Sequence, residues 1–453
     1  MVFGLLKRLL YLTGVQPGDR LPMFDEFLTV EELEASTRRI ATDPRVRITS
    51  LGISRLGRPI EMISLGEGNR DALIVGVPHA NEPAGAVTVE RLIALMLQNE
   101  RERRGYRWHF IKAIDPEGLR LNCGWLKKPR TLGNYLENFF RPSLSRQPEI
   151  TFPLELGEYS FSASTPENEA WQRAFELTRP ALHATLHHCD FAGAYFMLSR
   201  ALPAALSGLE GAVKAAGLTV NEIDPDDEMT ADRWTPAVSR YATVLETTTK
   251  AQKVGAAWAF PWTYGDMSPG YGEARYGALS LLAEVPLWHS EALDDFSSSG
   301  VSRSEQKGAL RSIADGAQEL ARRHLPRFRE SDLTPDALEC LWALEEGLRL
   351  TATQAPTTES AGDRILSRHE FDLMHTQNAL LVLRTYGLLL SLANQVLLAH
   401  PQNAAARATR QESLTALQRE ITTLEARSRL VPVPIRVMSG LQMAAIFACA
   451  DAL

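Results

Sequence analysis

The sequence predicts an α/β fold: a mixed, mostly parallel, twisted sheet with helices on both faces, followed by an all-α helical bundle. Strand patterns alternate with helical patterns in the first part, which is typical of a sheet covered by helices. Only long helical patterns remain in the last third. At 453 residues the chain exceeds the size at which a single core stops growing, so we expect two domains, 1–293 and 294–453.

The first part is predicted from the spacing of its apolar residues and from its turn residues. Two stretches, 119–165 and 224–278, lack clear periodicity and are predicted as long irregular loops, which inside a domain are usually functional. The remaining predicted elements are a helix at 25–39, strands at 46–54, 60–65, 72–77, 107–114, 181–187, 193–198 and 279–284, and helices at 83–98, 166–177 and 203–216.

The second part is predicted to begin after a Ser-rich linker at 294–300 and to contain no catalytic constellation. Its helices are predicted at 304–325, 335–352, 363–399, 403–428 and 437–452. An extended Val-Pro-Val-Pro segment at 431–434 separates the last helix from the others, so we expect that helix to dock on the first domain.

Composition excludes several classes of protein. A net charge of −7 argues against a nucleic-acid-binding surface. The four cysteines form no CxxC pair, which favours reduced thiols over a disulfide framework. The N-terminal stretch lacks the order of a signal peptide, and we found no run long enough to span a bilayer. We therefore expect a cytoplasmic protein without a nucleic-acid or membrane partner, and the sequence leaves its oligomeric state open.

Three predicted strands end in side chains of the kinds that bind metals. The strand at 72–77 leads to His79 and Glu82, a later strand ends in His187-His188, and another ends in Glu284. Carboxyl ends of strands in an open α/β sheet are where active sites lie. Each feature alone is commonplace, and their occurrence in one predicted sheet is what indicates a site.

Two histidines and a glutamate are a donor set of catalytic zinc sites, which keep a fourth position for water or substrate. His79, Glu82 and His187 would supply this set. Glu284 would then stay off the metal and take the proton of a water molecule whose pKa zinc lowers from about 15.7 towards about 7. Alternation places His187 and His188 on opposite faces of the strand, so only one of them faces the site. His188 is the alternative to His187.

These residues resemble the M14 family of zinc carboxypeptidases over about residues 45–290. The family pattern is an HxxE motif after a strand, an Asn-Pro-Asp-Gly-like turn, a strand ending in His and a final strand ending in Glu. The chain has His79-Ala-Asn-Glu82, Asp115-Pro-Glu-Gly118, Thr185-Leu-His187 and Leu282-Ala-Glu284 in that order.

The resemblance implies roles for individual residues. His79, Glu82 and His187 would bind Zn2+, and Glu284 would be the general base that activates water and then protonates the leaving amine. Arg120, just after the Asp-Pro-Glu-Gly turn, would polarise the scissile carbonyl and stabilise the oxyanion.

The chain departs from the family in the residues expected to bind the substrate. The Asn-Arg pair that holds the terminal carboxylate is missing from the expected stretch, and Asn138 and Arg141 are the nearest substitutes. For the substrate-gating tyrosine, Tyr264 is preferred over Tyr271 and Tyr276.

Three functions therefore stay open. The first is a zinc carboxypeptidase that acts on a peptide or a small peptide-like substrate. The second is an N-acyl amino acid deacylase, because the run from His79 to Gly85 also resembles the HxNExxG motif of the succinylglutamate desuccinylase and aspartoacylase branch. The third is an inactive binding or scaffold protein that uses its helical part as an interaction surface; the intact Glu284 argues against it.

Overall fold

The computed structural model describes residues 21–220, 232–253, 264–353 and 363–453. The chain forms a mixed sheet with helices on both faces and a helical C-terminal region, as the sequence predicts. Parts of the predicted 224–278 loop, and the N-terminal stretch considered as a signal peptide, lie outside the described residues.

The main sheet has the strand order β1-β2-β4-β3-β7-β11-β8-β10-β9, with β14 also paired to β11. The strands of the described residues are β1 (Arg47–Ile53), β2 (Pro59–Leu65), β3 (Arg70–Gly76), β4 (Tyr106–Ile111), β5 (Leu154–Leu156), β6 (Tyr159–Phe161), β7 (Leu182–Phe191), β8 (Tyr195–Leu198), β9 (Arg233–Thr235), β10 (Val238–Arg240), β11 (Leu279–His289), β12 (Ser298–Ser302), β13 (Ile365–Ser367) and β14 (Val431–Pro432).

Parallel pairing is concentrated in the centre of the sheet, where β4, β3, β7 and β11 run in one direction. The flanking pairs β1–β2, β2–β4 and β8–β11 are antiparallel. Since β3, β7 and β11 are neighbouring parallel strands, their carboxyl ends meet at one edge of the sheet. The residues that the sequence singles out follow or lie near those ends.

The helices of the described residues cover both faces of the sheet and form the C-terminal region. They are α1 (Val30–Ile40), α2 (Ala84–Gln98), α3 (Pro116–Leu121), α4 (Cys123–Leu126), α5 (Leu132–Glu137), α6 (Pro166–Thr178), α7 (Pro203–Ala215), α8 (Val244–Lys253), α9 (Ser268–Tyr276), α10 (Arg303–His324), α11 (Pro335–Thr353), α12 (Arg368–Phe371), α13 (Gln377–Ala399), α14 (Ala404–Glu425) and α15 (Ile435–Ala452).

Alternation along β3 divides the apolar residues between two cores. Ala72 and Ile74 face a large core that includes α2, α7 and the C-terminal helices. Leu73 and Val75 face a smaller core formed with α6 and α9. A strand buried on both faces is usually apolar on both, which explains the apolar run from Ala72 to Val75 in β3.

The large core continues from the sheet into the C-terminal helices. Leu186 of β7 and Met443 of α15 belong to the same buried cluster. The last helix lies against α2, α7 and β11. The division of the chain at residue 293 stays a prediction, and it does not coincide with a gap in the apolar packing.

The sequence did not resolve several local details. Residues 119–165 contain short helices and the β5–β6 hairpin instead of one irregular loop. The predicted linker at 294–300 is partly a strand, since β12 pairs with β13. The helix predicted at 363–399 is interrupted, because β13 occupies its start and a π-helical turn, Asp372–Thr376, separates α12 from α13. Tertiary pairing overrides helical periodicity at these places.

Two helical segments are long and apolar enough, by length and composition, to cross a membrane: Arg368–Ala399 and Ile435–Ala452. The sequence reading had found no such run. In each segment most of the apolar window is buried within the chain, 72% in the first and 78% in the second, which is the environment of a core helix. The four cysteines are unpaired, and two of them, Cys340 and Cys449, are buried.

Candidate metal centre and active site

His79, Glu82 and His187 come together at the carboxyl edge of the sheet. Their potential ligand atoms all lie within 4.8 Å of one another, and all three side chains are buried. His79 Nδ1 is 2.9 Å from Glu82 Oε1, and His187 Nδ1 is 3.0 Å from Glu82 Oε2. The two imidazoles therefore converge on one carboxylate from residues more than 100 positions apart.

The backbone around Gly76 brings His79 and Glu82 into this position. Val77 adopts a positive φ of 53°, which is rare for a β-branched residue and is a strained conformation found most often at functional sites. The start of α2 then packs closely against β7, since a Cβ on Gly85 would lie 2.8 Å from the Leu186 carbonyl oxygen. The chain thus turns sharply from β3 into α2 and holds the HxxE motif against β7.

The charges of the three side chains are strongly coupled. Burial and the nearby charge of Arg141 together lower the pKa of His79 to about 3, although the carboxylate of Glu82 opposes them. Burial also disfavours the charged form of His187, but the carboxylate of Glu82 outweighs it and raises the pKa of His187 to about 9. Burial opposes ionisation of Glu82, yet the two histidines hold its pKa well below the ordinary value. Glu82 is thus the anionic centre of the cluster.

The donor set fits zinc. Two imidazole nitrogens and one carboxylate, with a position left open, make up a common catalytic zinc site. Zinc–nitrogen bonds of about 2.1 Å require ligand atoms no more than about 4.2 Å apart, so the widest-spaced atoms would close by less than about 1 Å. Next to the cluster, Glu284 Oε2 is buried without a hydrogen-bond partner among the described residues, as expected of a group that meets a ligand.

Glu284 lies within β11 and not at its end, because the strand continues to His289. It is the direct partner of His187 in the β7–β11 pairing and of Tyr195 in the β8–β11 pairing. Burial raises the pKa of Glu284 to about 8, opposed by the charge of His187. His187, Glu284 and Tyr195 therefore form a row across three strands, in which Tyr195 is not predicted by any sequence pattern.

His188 takes the opposite face of β7, as alternation predicts. Its ring lies 6.4 Å from the ring of Phe27, in the large core. Its backbone N–H lies 3.4 Å from Glu82 Oε2. The ring of His187, by contrast, lies 4.8 Å from that of His79, so the choice of His187 over His188 agrees with the geometry.

A carboxylate behind His187 was missed by sequence reasoning. Thr185 Oγ1 lies 3.0 Å from His187 Nε2 and donates to Glu149 Oε2 at 3.2 Å. Ser268 donates to the other oxygen of Glu149 at 2.7 Å. Such partners fix the orientation of a ligating imidazole. Glu149 lies in the stretch without periodicity, where no local pattern marks it.

Arg141 is the arginine that the structure brings to the cluster. Its Nη1 lies 3.3 Å from Glu82 Oε1, and its Nε donates to Gln147. Burial lowers the pKa of Arg141, partly offset by Glu82. The guanidinium therefore lies beside the predicted metal ligands.

Arg120, Asn138 and Tyr264 are placed elsewhere. Arg120 forms ion pairs with Asp336 and Glu117, and among the described residues it makes no contact with the histidine–glutamate cluster. The predicted oxyanion role is therefore not supported by its position. Asp115 is the N-cap of the short helix α3, and its carboxylate accepts a hydrogen bond from the Gly118 N–H. The predicted turn is therefore the start of a helix.

The other two expected substrate-binding side chains are also engaged away from the cluster. Asn138 is the C-cap of helix α5, and its Nδ2 donates to the carbonyl of Asn134 in that helix. The Tyr264 hydroxyl donates to Glu346 of α11, at a surface cavity of about 460 Å³. Asn138 is thus held within its own helix and does not join Arg141, whereas Tyr264, the predicted gating tyrosine, is bonded to α11.

No protein-family model and no curated protein sequence matches the chain. Similar solved structures include a metallo-carboxypeptidase from Burkholderia cenocepacia (16% identity, 56% of this chain and 60% of that chain, TM-score 0.34). Another is the carboxypeptidase A from Helicoverpa armigera (17% identity, 64% and 72%, TM-score 0.39). The chain thus spans less than two thirds of the Burkholderia protein.

Proposed function

We propose that the protein is a zinc-dependent hydrolase that cleaves an amide bond, most simply as a carboxypeptidase of a peptide or peptide-like substrate. One observation carries the proposal. His79, Glu82 and His187 converge within 4.8 Å, and Glu284 lies next to His187 in the sheet with a buried oxygen that has no hydrogen-bond partner in the described part of the chain.

The chain's own residues account for the steps. When bound, zinc supplies a Lewis acid that polarises a carbonyl and lowers the pKa of water from about 15.7 towards about 7. Glu284, whose Oε2 has no hydrogen-bond partner among the described residues, would accept a proton from the attacking water and later deliver it to the leaving amine. Thr185 keeps the ring of His187 oriented through its bond to Nε2.

Arg141 is the residue that we assign to the substrate's negative charge. Its bond to Glu82 is long, at 3.3 Å, and its planar guanidinium matches a carboxylate bidentately. In a peptide with a free C-terminus this would be the terminal carboxylate. A scissile carbonyl that develops negative charge is the other group that fits the same position.

A deacylase activity on N-acyl amino acids is the second candidate. Gly85, the last residue of the HxNExxG run, is held so closely against β7 that a Cβ would lie 2.9 Å from that of Leu186. Asn138 does not join Arg141 at the cluster. An N-acyl amino acid also carries a carboxylate for Arg141, so the same machinery serves both reactions.

Purified protein loaded with zinc should be incubated with two substrate panels: C-terminally free peptides and N-acyl amino acids. Release of C-terminal amino acids supports the carboxypeptidase, whereas turnover of the second panel alone selects the deacylase. Zinc analysis of a His79→Ala variant is the companion measurement. A zinc content equal to that of the wild type would defeat the proposal in both forms, and zinc binding without turnover of either panel would favour the scaffold alternative.

We also propose a cytoplasmic location. The four unpaired cysteines support it, since thiols stay reduced in that compartment. Thiol titration of protein freshly isolated from its native cells would test it, and four reactive thiols under denaturing conditions are expected.

A further inference from the structure

Helices α13 and α15, which lie in the C-terminal region where the sequence shows no catalytic constellation, reach the backbone and loop of the metal centre. One contact is made by Gln442 of α15, which is fully buried. Its Nε2 donates to the carbonyl of His187 at 2.8 Å and lies 3.4 Å from the carbonyl of Ala283. Gln442 therefore holds the backbone of a metal ligand and the residue before Glu284.

The other end of the same amide is also fixed. Thr88 of α2 donates to Gln442 Oε1 at 2.5 Å. Glu82 lies just before helix α2. The side chain of Gln442 therefore links the helix that follows Glu82 to the strands that carry His187 and Glu284. A buried amide with donors and acceptor all used is costly to disturb, because any group left unpaired loses its hydrogen bonds to water as well.

The second contact is made by Arg384 of α13. Its Nε and Nη2 both reach the carboxylate of Asp190, at 3.0 and 2.8 Å. Tyr135 donates to the same carboxylate at 2.6 Å and accepts from Asn81 Nδ2 at 3.2 Å. Asn81 lies inside the HxxE motif, immediately before Glu82. A chain of three side chains thus links α13 to the loop that holds the first two ligands.

We propose that Gln442 and Arg384 are positioning residues of the metal centre, through which the C-terminal helices set the geometry and affinity of the site. Neither side chain touches the metal ligands' coordinating atoms; each acts through an intermediate group, the His187 carbonyl or the Asp190–Tyr135–Asn81 chain. The inference rests on the proposed metal-dependent function. It gives the C-terminal region a role in that same site.

The chain offers a matched control for each residue. Ser439 lies one turn before Gln442 on α15, is equally buried, and accepts from Arg91 of α2 at 2.7 Å. Ser391 lies two turns after Arg384 on α13 and donates to the carbonyl of Phe139 at 2.9 Å. Both serines make buried contacts between the same parts of the chain without bonding to the metal-site residues.

The test compares the full chain carrying Gln442→Met, Arg384→Met, Ser439→Ala or Ser391→Ala with the wild type. Zinc affinity is measured by chelator competition at pH 7.5, and the visible spectrum of each Co²⁺-substituted protein reports the ligand geometry. Outer partners of metal ligands typically contribute about 10- to 100-fold in metal affinity. We expect a loss of about 10-fold or more and an altered cobalt spectrum for the first two variants, and values within about 2-fold for the serine variants.

Two further variants, Arg384→Lys and Thr88→Val, distinguish a weakened metal site from a protein that fails to fold. Lysine keeps the charge opposite Asp190 but loses the bidentate bond, so its zinc affinity should lie between those of wild type and Arg384→Met. Thr88→Val leaves the Gln442–His187 bond in place and should bind zinc better than Gln442→Met does. Wild-type affinity and cobalt spectrum in both methionine variants would overturn the inference, as would equal losses in the serine controls.

Failure of the inference can be told from failure of the proposed function. If the wild type binds zinc and His79→Ala does not, while Gln442→Met and Arg384→Met behave as wild type, only the positioning role is wrong. If the wild type and His79→Ala bind zinc equally, the metal centre itself is wrong and the positioning role falls with it.

Discussion

Glu284 lies directly beside His187 in the sheet, as its partner in the parallel pairing of β11 with β7. Paired residues on adjacent strands project from the same face, so the carboxyl and the imidazole face the same space. Tyr195 extends the row on the other side of Glu284. The proposed base, a predicted metal ligand and a phenol therefore lie on neighbouring strands and not on loops.

Replacing Glu284 by glutamine should abolish turnover without releasing the metal. Glutamine keeps the shape of the side chain but cannot accept the proton of water, and general-base catalysis is worth about 10²- to 10⁴-fold. Steady-state hydrolysis and zinc content should be measured on the same preparation. A Glu284→Gln protein that retains more than about a tenth of wild-type activity would show that another group is the base.

Removing the metal should abolish activity reversibly. Dialysis against a chelator is expected to stop hydrolysis, and one equivalent of Zn²⁺ should restore it in the wild type. In His79→Ala the same addition should restore little, since one of the three ligands is gone. Full activity in chelator-treated, metal-free protein would contradict the assignment of the cluster.

Arg141 and Arg120 make a matched pair for the role of positive charge. Arg141→Lys should lower kcat/KM by about 10- to 100-fold, because a charge-assisted bidentate bond is worth about 1.5–3 kcal/mol and lysine cannot reproduce it. Arg120→Lys changes only a partly exposed ion pair with Asp336 and Glu117, so kcat/KM should stay within about 2-fold. The reverse result would restore the role that the family resemblance implies for Arg120.

His375, far from the predicted metal ligands in sequence, should make stability depend on pH. Burial lowers its pKa in the folded protein to about 4, below the ordinary value of 6.5. Between those values the unfolded chain binds a proton that the folded chain does not, so stability rises with pH over this range. The part of the stability that depends on neutral His375 is fully present above pH 6.5 and is lost progressively as the pH falls to 4.

From this pKa difference we expect His375 to make the unfolding free energy of the wild type about 2 kcal/mol lower at pH 5 than at pH 7.5. In His375→Phe that part of the decline should be absent. The phenyl ring keeps the stacking with Phe371, whose ring lies 4.9 Å away. Urea unfolding of both proteins at the two pH values measures the difference, and parallel declines would count against the low pKa.

Two glycines in C-terminal helices should respond to alanine in opposite directions. A Cβ on Gly387 of α13 would lie 2.3 Å from the Leu136 carbonyl oxygen, so Gly387→Ala should destabilise the fold by about 1–3 kcal/mol through overpacking. Gly308 of α10 has open space, and Gly308→Ala should stabilise by about 0.5–1 kcal/mol through helix propensity. Thermal unfolding of both variants checks the close packing of α13 against α5.

The sequence was sufficient for the features that depend on local periodicity. The sequence predicts strands β3, β7 and β11, because buried parallel strands are rich in apolar residues on both faces. His79, Glu82, His187 and Glu284 were then found as polar residues interrupting or following those runs. Their convergence could be predicted, since neighbouring parallel strands end at the same edge.

Features that depend on distant contacts could not be predicted. Arg384 and Asp190 are 194 positions apart, and Gln442 and His187 are 255 positions apart, so no window of sequence contains either pair. The ion pair of Arg120 with Asp336 is of the same kind. Asp336 lies in α11, 216 positions away, whereas the Asp-Pro-Glu-Gly turn beside Arg120 is a local pattern.

The bond between Gln442 and the carbonyl of His187 has a consequence for synthesis in the cell. Residues 79–284 leave the ribosome well before Gln442 does, so the nascent chain carries all four predicted active-site residues while the helix that holds them is still missing. Contacts of such long sequence separation also form slowly during folding. If Gln442 positions the site as proposed, the metal would load with full affinity only after helix α15 has docked, and unfinished chains would lack a complete site.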